Sequence, residues 1–158
     1  MRRPVFVAVS TAMVAALMVG MALASTGRGT DRSSDDPIHA VVGPGLHDEF
    51  LDFNGDGLGL GDRLAAVGPL LDESQTERIG TAYLDCLIVS RVLEGGTFDC
   101  TYVLKFRDGD ITTHGIDPHG PSDVFFAVTG GTGAYRGASG QARYIDTDVT
   151  DIIIDLDD

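Results

Sequence analysis

From Gly80 to Val92 the chain reads GTAYLDCLIVSRV, rich in β-branched and aromatic residues, and after a turn at Glu94-Gly95-Gly96 it resumes as TFDCTYVLKF. The second stretch alternates strictly. Phe98, Cys100, Tyr102, Leu104 and Phe106 fall on one face, and Thr97, Asp99, Thr101 and Lys105 on the other, so the pattern predicts a hairpin with one side buried and one wet. Asp108-Gly109-Asp110 marks the next turn, and short strands follow at ITTHG and DVFFAVT. A glycine-rich loop, GGTGAYRGASG, then leads into QARYIDT and DIIIDL, while LHDEFLDF and DRLAAV supply two more strands upstream. Eight short strands with frequent turn signals, and no amphipathic helical stripe beyond the leader, predict an all-β fold: an eight-stranded antiparallel β-barrel. A barrel of that strand number is either filled by side chains or left as a calyx for one small ligand. Alternation places Ala82, Leu84, Cys86, Ile88, Phe125 and Ala127 inward and predicts Leu84, Ile88, Tyr102 and Phe125 as the wall of such a cavity.

The first residues follow a different pattern. Arg2 and Arg3 precede an uncharged apolar run from Val5 to Ala24 that ends in Ala22-Leu23-Ala24, the form of a secretion signal, so residues 1–24 are predicted to be a cleaved signal peptide. A run of that length could also stay as an N-terminal membrane anchor. Residues 25–37, STGRGTDRSSDDP, are polar and end in proline, which predicts a flexible linker; the barrel domain is placed at 38–158. The expected location is secreted or extracytoplasmic, with a membrane-anchored form as the alternative.

Charge narrows the partners. Eleven Lys and Arg against 24 Asp and Glu give the 158-residue chain a net charge of −13, which repels nucleic acid and anionic membrane surfaces. The two cysteines, Cys86 and Cys100, stand on the arms of one hairpin at an even separation and could form a disulfide, as an exported chain would allow. Two buried thiols would satisfy the same pattern.

Three local motifs suggest chemistry. In DFNGDGLGLGD, Asp52, Asn54 and Asp56 alternate ahead of Gly57 as in the first half of a calcium loop, but Arg63 stands where such a loop needs its final glutamate. A Gly-Asp connection between strands is the expected reading, with calcium as the alternative. His114, Asp117 and His119 cluster in HGIDPH without any metal-ligand spacing, so a solvated loop is expected there. No serine sits in a nucleophile elbow, and the glycine-rich loop lacks the lysine of a phosphate cradle.

The segment FFAVTGGTGAYRGASGQARY resembles the signature shared by plant allene oxide cyclases and dirigent proteins, a strand running into a glycine loop and a second strand. Upstream, LGDRLAAVGPLLDESQTERIGTAYLDCLIV is similar to the allene oxide cyclase pattern, so the resemblance spans about Leu46 to Tyr144. It implies an eight-stranded antiparallel barrel with an apolar cavity, often trimeric in the plant proteins and so a possible homo-oligomer (trimer or dimer) here. Relatives of this barrel include cyclases that close polyketide rings. The implied activity is therefore that of a small-molecule cyclase or isomerase needing no cofactor, which folds an unsaturated apolar substrate toward ring closure. The alternative is a non-catalytic dirigent-like or apolar-ligand-binding barrel. Asp52-Phe53-Asn54 matches the family's E-x-N pair and Cys86 its cavity cysteine, which implies Asp52 as acid or charge stabiliser, Asn54 as hydrogen-bond donor and Cys86 as a wall residue. The Ser-Pro that follows E-x-N in the plant enzymes is replaced by glycines, and IDPHGPS holds no tyrosine, which points away from a jasmonate-type substrate. Arg136 matches the dirigent loop arginine, whereas the dirigent cysteines at the chain ends are missing.

Overall fold

The computed structural model describes residues 36–57, 59–90, 96–118 and 120–157; the expected signal peptide and nearly all of the expected linker lie outside them. The strands are β1 (Ile38–Val42), β2 (His47–Leu51), β3 (Arg63–Leu71), β4 (Arg78–Ile88), β5 (Thr97–Phe106), β6 (Asp110–Pro118), β7 (Asp123–Gly131), β8 (Gly140–Asp146) and β9 (Thr150–Leu156). Successive strands from β3 to β9 pair antiparallel, and β1 closes the ring. It pairs with β9 from Ile38↔Ile154 to Val42↔Thr150, and with β3 at Val41↔Leu71 and Val42↔Leu70. The result is an eight-stranded closed barrel carrying one extra strand.

That extra strand corrects the expected strand set. LHDEFLDF forms β2, which lies along β3 with all five of its residues exposed, while the staves of the barrel include IHAVV, not foreseen as a strand. The reason is physical: β1 is short and buried at four of its five positions, so it has no polar alternation to reveal it.

The interior is filled from every stave. Ile38, Ala40 and Val42, then Leu70, Ala82, Cys86 and Ile88, then Phe98, Leu104 and Phe106 join Ile111, Phe126, Ala142, Ile152 and Ile154 in one buried cluster. Phe126 occupies the space left by a missing side chain. A Cβ on Gly115, across the sheet, would stand 2.5 Å from the Phe126 ring. Phe125 was expected on the inner wall, but it faces out with 59% exposure, whereas Phe126 is 1% exposed; Ala127 likewise lies outside. Two adjacent phenylalanines allow either phase of alternation. The Gly115 gap selects Phe126, and the outward Asp123 accepts hydrogen bonds from Arg143 Nε and Nη2 at 2.7 and 2.6 Å.

One end of the barrel is sealed by the glycine-rich loop. Ala134 and Thr132 donate backbone N–H groups to the carbonyls of Asp108 and Asp110, and the Asp110 N–H reaches Thr132 Oγ1 at 3.1 Å. Gly133, at φ +59°, lies so close to the Asp108 carbonyl that a Cβ has no room. Behind this seal Tyr135 lays its ring against Phe106, 5.5 Å between centroids. The loop closes this end of the barrel.

Candidate functional site

Toward the other end of the barrel the inward positions include the polar Asp117, Asp146 and Thr150 beside Phe98 and Ile88. Tyr102 pairs across the sheet with Leu84 on one side and Thr113 on the other; Phe98 pairs with Asp117, and Asp146 with Thr150. Three rings fill the middle of the barrel: Tyr102 stacks on Tyr144 at 4.5 Å, Phe126 lies 4.8 Å from Tyr144, and Tyr102 meets Phe126 edge-on at 5.8 Å. Within this apolar packing the buried Thr113 Oγ1 is hydrogen-bonded to the Tyr144 hydroxyl at 2.7 Å. Beyond them Asp117, Val124, Asp146 and Thr150 are half-buried, and Thr150 donates its hydroxyl to Asp146 Oδ1 at 2.6 Å. Leu64 and Leu84 are also half-buried where they pack on the core.

The electrostatics keep both phenols protonated. Burial, and after it Tyr144, Asp117 and Asp146, push the Tyr102 hydroxyl well above the ordinary tyrosine range. Burial does the same to Tyr144, opposed in part by its bond to Thr113. Neutral tyrosine hydroxyls are hydrogen-bond donors, so the middle of the barrel can polarise a carbonyl without bringing a charge. A stability consequence follows with a definite sign. In the unfolded chain these tyrosines ionise near their ordinary value of 10.0, while in the fold they stay neutral to higher pH. Their contribution is complete below pH 10 and is lost as the pH climbs beyond it, by about 1.4 kcal/mol per pH unit for each tyrosine. Denaturant melts between pH 9 and 12, followed at the phenolate absorbance, should show two tyrosines that ionise only with unfolding. Their titration in the folded protein near pH 10 would contradict this burial.

The residues singled out by sequence fare differently. Leu84, Ile88 and Tyr102 all lie on the inner face. Cys86 and Cys100 sit directly opposite each other on β4 and β5, joined as a disulfide inside the core. Cys86 therefore contributes wall and no thiol. Closing a loop of this size restricts the unfolded chain by about 3 kcal/mol.

Asp52 and Asn54 are exposed on the β2–β3 loop, which is tied to the end of β4 by Gly61 N–H to Ile88 O at 3.0 Å. Asp52 turns its carboxylate onto its own loop, accepting N–H bonds from Asn54, Gly55 and Gly57. The Gly57 and Gly55 bonds lead in holding its pKa below the usual carboxylate range, which suits an anchor and not a proton donor. Asp62, fully buried, does the same for Phe53 N–H at 2.9 Å and Gly59 N–H at 2.7 Å. Carboxylate oxygens of Asp52, Asp56 and Asp62 come within 4.8 Å of one another, so the acids grouped here include Asp62, and Asn54 contributes its backbone. The motif orders a turn through N–H donors.

The expected HGIDPH loop is instead the end of β6, and the strand parts its members. His114 points outward and meets Asp99 Oδ1 at 2.5 Å, whereas Asp117 lies on the inner face; His119 lies outside the described residues. Sequence reasoning missed Thr113, Tyr144 and Asp146 altogether. Their only signal was the inward phase of β6 and β8.

No protein-family model matches the chain. Among solved structures, a pyocyanin demethylase superposes with a TM-score of 0.66 at 18% identity, covering 77% of this chain and 99% of that one. A pterocarpan synthase dirigent protein gives 0.56 at 21% identity over 76% and 85%, and AbnU, described as an exo-specific intermolecular Diels-Alderase, gives 0.55 at 22% over 75% and 97%. The chain has the dirigent and cyclase barrel fold. Nearly the whole length of the demethylase and of the Diels-Alderase is matched by this barrel.

Proposed function

We propose that this dirigent-type barrel is an exported small-molecule cyclase. It admits an unsaturated apolar substrate at the Asp117–Asp146 end and holds it in a ring-closing conformer. The observation that carries the reading is the neutral hydroxyl group set of Tyr102, Thr113 and Tyr144 buried among the aromatic rings at the middle of the barrel. Apolar walls at Leu84, Ile88, Val124 and the Cys86–Cys100 bridge exclude water and confine the chain; holding the reacting carbons together lowers the barrier by proximity and orientation. A tyrosine hydroxyl donating to a substrate carbonyl draws electron density from the conjugated partner, and no cofactor is needed for that step. Export is supported by the disulfide, a link kept in oxidising compartments, and by the signal-like leader.

The test is a panel of linear substrates each carrying a diene and an enone, incubated with the protein and followed by loss of diene absorbance and chiral product analysis. The expected result is a rate above background with one stereoisomer in excess. Binding of the panel with background rate and racemic product would favour the non-catalytic, ligand-holding barrel.

A further inference from the structure

The hydroxyls buried at the middle of the barrel carry more hydrogens than they make bonds. Thr113 and Tyr144 are 0% and 3% exposed and share one hydrogen bond, yet each brings its own O–H, so whichever of the two donates, one hydrogen is left over. Tyr102 is 9% exposed, and among the described residues no hydrogen bond reaches its hydroxyl. The three groups are neighbours by construction: Thr113 lies directly across the sheet from Tyr102, and the Tyr102 ring stacks on Tyr144 at 4.5 Å. Strands β5, β6 and β8 of a closed ring of staves hold them there. Two donors thus stand unpaired in a setting where a buried donor without an acceptor costs about 1–3 kcal/mol.

We infer that the ligand of this site presents one carbonyl oxygen to Tyr102 and Tyr144 together, and that Thr113 is a positioning residue that aims the second of these donors. This rests on the reading that the ligand binds inside the barrel, and it fixes the buried end of that ligand as an acceptor with no hydrogen of its own. A carbonyl oxygen accepts two hydrogen bonds near its plane, so a single ketone or enone satisfies both unpaired hydrogens. An alcohol in the same place brings a further hydrogen to a set that already has too many. With a carbonyl bound, Thr113 donates to the Tyr144 oxygen and Tyr144 donates to the ligand. In such a chain each bond polarises the next and strengthens it by about 10–30%. Thr113 acts through Tyr144, without touching the ligand itself.

Two probes of one skeleton decide it: benzylideneacetone labelled with heavy carbon at its carbonyl, and the allylic alcohol obtained by reducing it, each titrated into the full chain. The ketone is expected to bind about tenfold more tightly than the alcohol, which leaves a donor unpaired. Its carbonyl stretch, read from isotope-edited infrared difference spectra, should fall below its position in hexane, and Tyr102→Phe and Tyr144→Phe should each return roughly half of that shift. Thr113→Val keeps the side-chain shape and the Tyr144 hydroxyl and should return part of the shift, whereas Thr113→Ser should keep it whole. If Tyr144→Phe does not fold, Tyr102→Phe and the two Thr113 variants still decide the matter. A Thr113→Val protein that melts lower with the wild-type carbonyl stretch overturns the positioning role. Equal binding of ketone and alcohol, with the stretch at its hexane position, overturns the inference and leaves the interior site standing. A lowered stretch that none of the substitutions moves puts the ketone away from these hydroxyls and overturns the inference as well. Failure of both probes to bind removes the interior site itself and the inference with it.

Discussion

Phe126→Ala is expected to cost about 3–5 kcal/mol of stability, and Phe125→Ala less than about 1 kcal/mol, although the two are neighbours in one strand. Phe126 fills the Gly115 gap and touches both tyrosine rings at the centre of the barrel. Truncation leaves a ring-sized hole that closed staves cannot collapse around, so the transfer loss and the cavity add. Phe125 lies outside, with the Arg143 guanidinium 5.9 Å from its ring, a contact worth about 0.5–1 kcal/mol at an exposed site. Thermal melts should separate the two variants by about 10–20 °C for a domain of this size. Equal losses would place the strand in the opposite phase and empty the proposed site of its central ring.

Tyr102→Phe is expected to lower kcat/KM for ring closure by about 10- to 100-fold, mostly in kcat, while leaving the fold intact. The upper figure is the lower bound for removing a donor from a full oxyanion site, and a polarised carbonyl develops less charge than an oxyanion. The ring remains stacked on Tyr144, so shape is preserved and only the donor is lost. Tyr144→Phe differs because it strands the buried Thr113 hydroxyl, adding about 1–3 kcal/mol of instability to any loss of rate. A Tyr102→Phe enzyme with unchanged kcat and raised KM would reduce this hydroxyl to a binding contact.

The fold was legible wherever one face of a strand is wet. β5 alternates without a break, and its inward set from Phe98 to Phe106 was readable residue by residue. β1 was hidden because burial on nearly every position erases alternation, and VFFAV in β7 was ambiguous because both phases bury a phenylalanine. Even spacing of Cys86 and Cys100 was compatible with their contact, but the register that makes them partners comes from a hairpin whose turn length does not follow from spacing. The site was less legible than the fold. Thr113 and Tyr144 are 31 residues apart and meet only because the barrel closes, whereas D-x-N and HGIDPH were conspicuous in sequence and proved to be a loop anchor and two faces of one strand. Short-range motifs report local turns; this site is assembled from inward positions on β5, β6 and β8.

The central claim is that substrate binds inside the barrel from the Asp117–Asp146 end. The most direct measurement is nuclear magnetic resonance mapping of the labelled protein as a linear diene-enone is added. Shifts should concentrate at Leu84, Tyr102, Val124 and Asp146. Shifts confined to the outward Ile116 and Phe125, with the interior unmoved, would contradict the account.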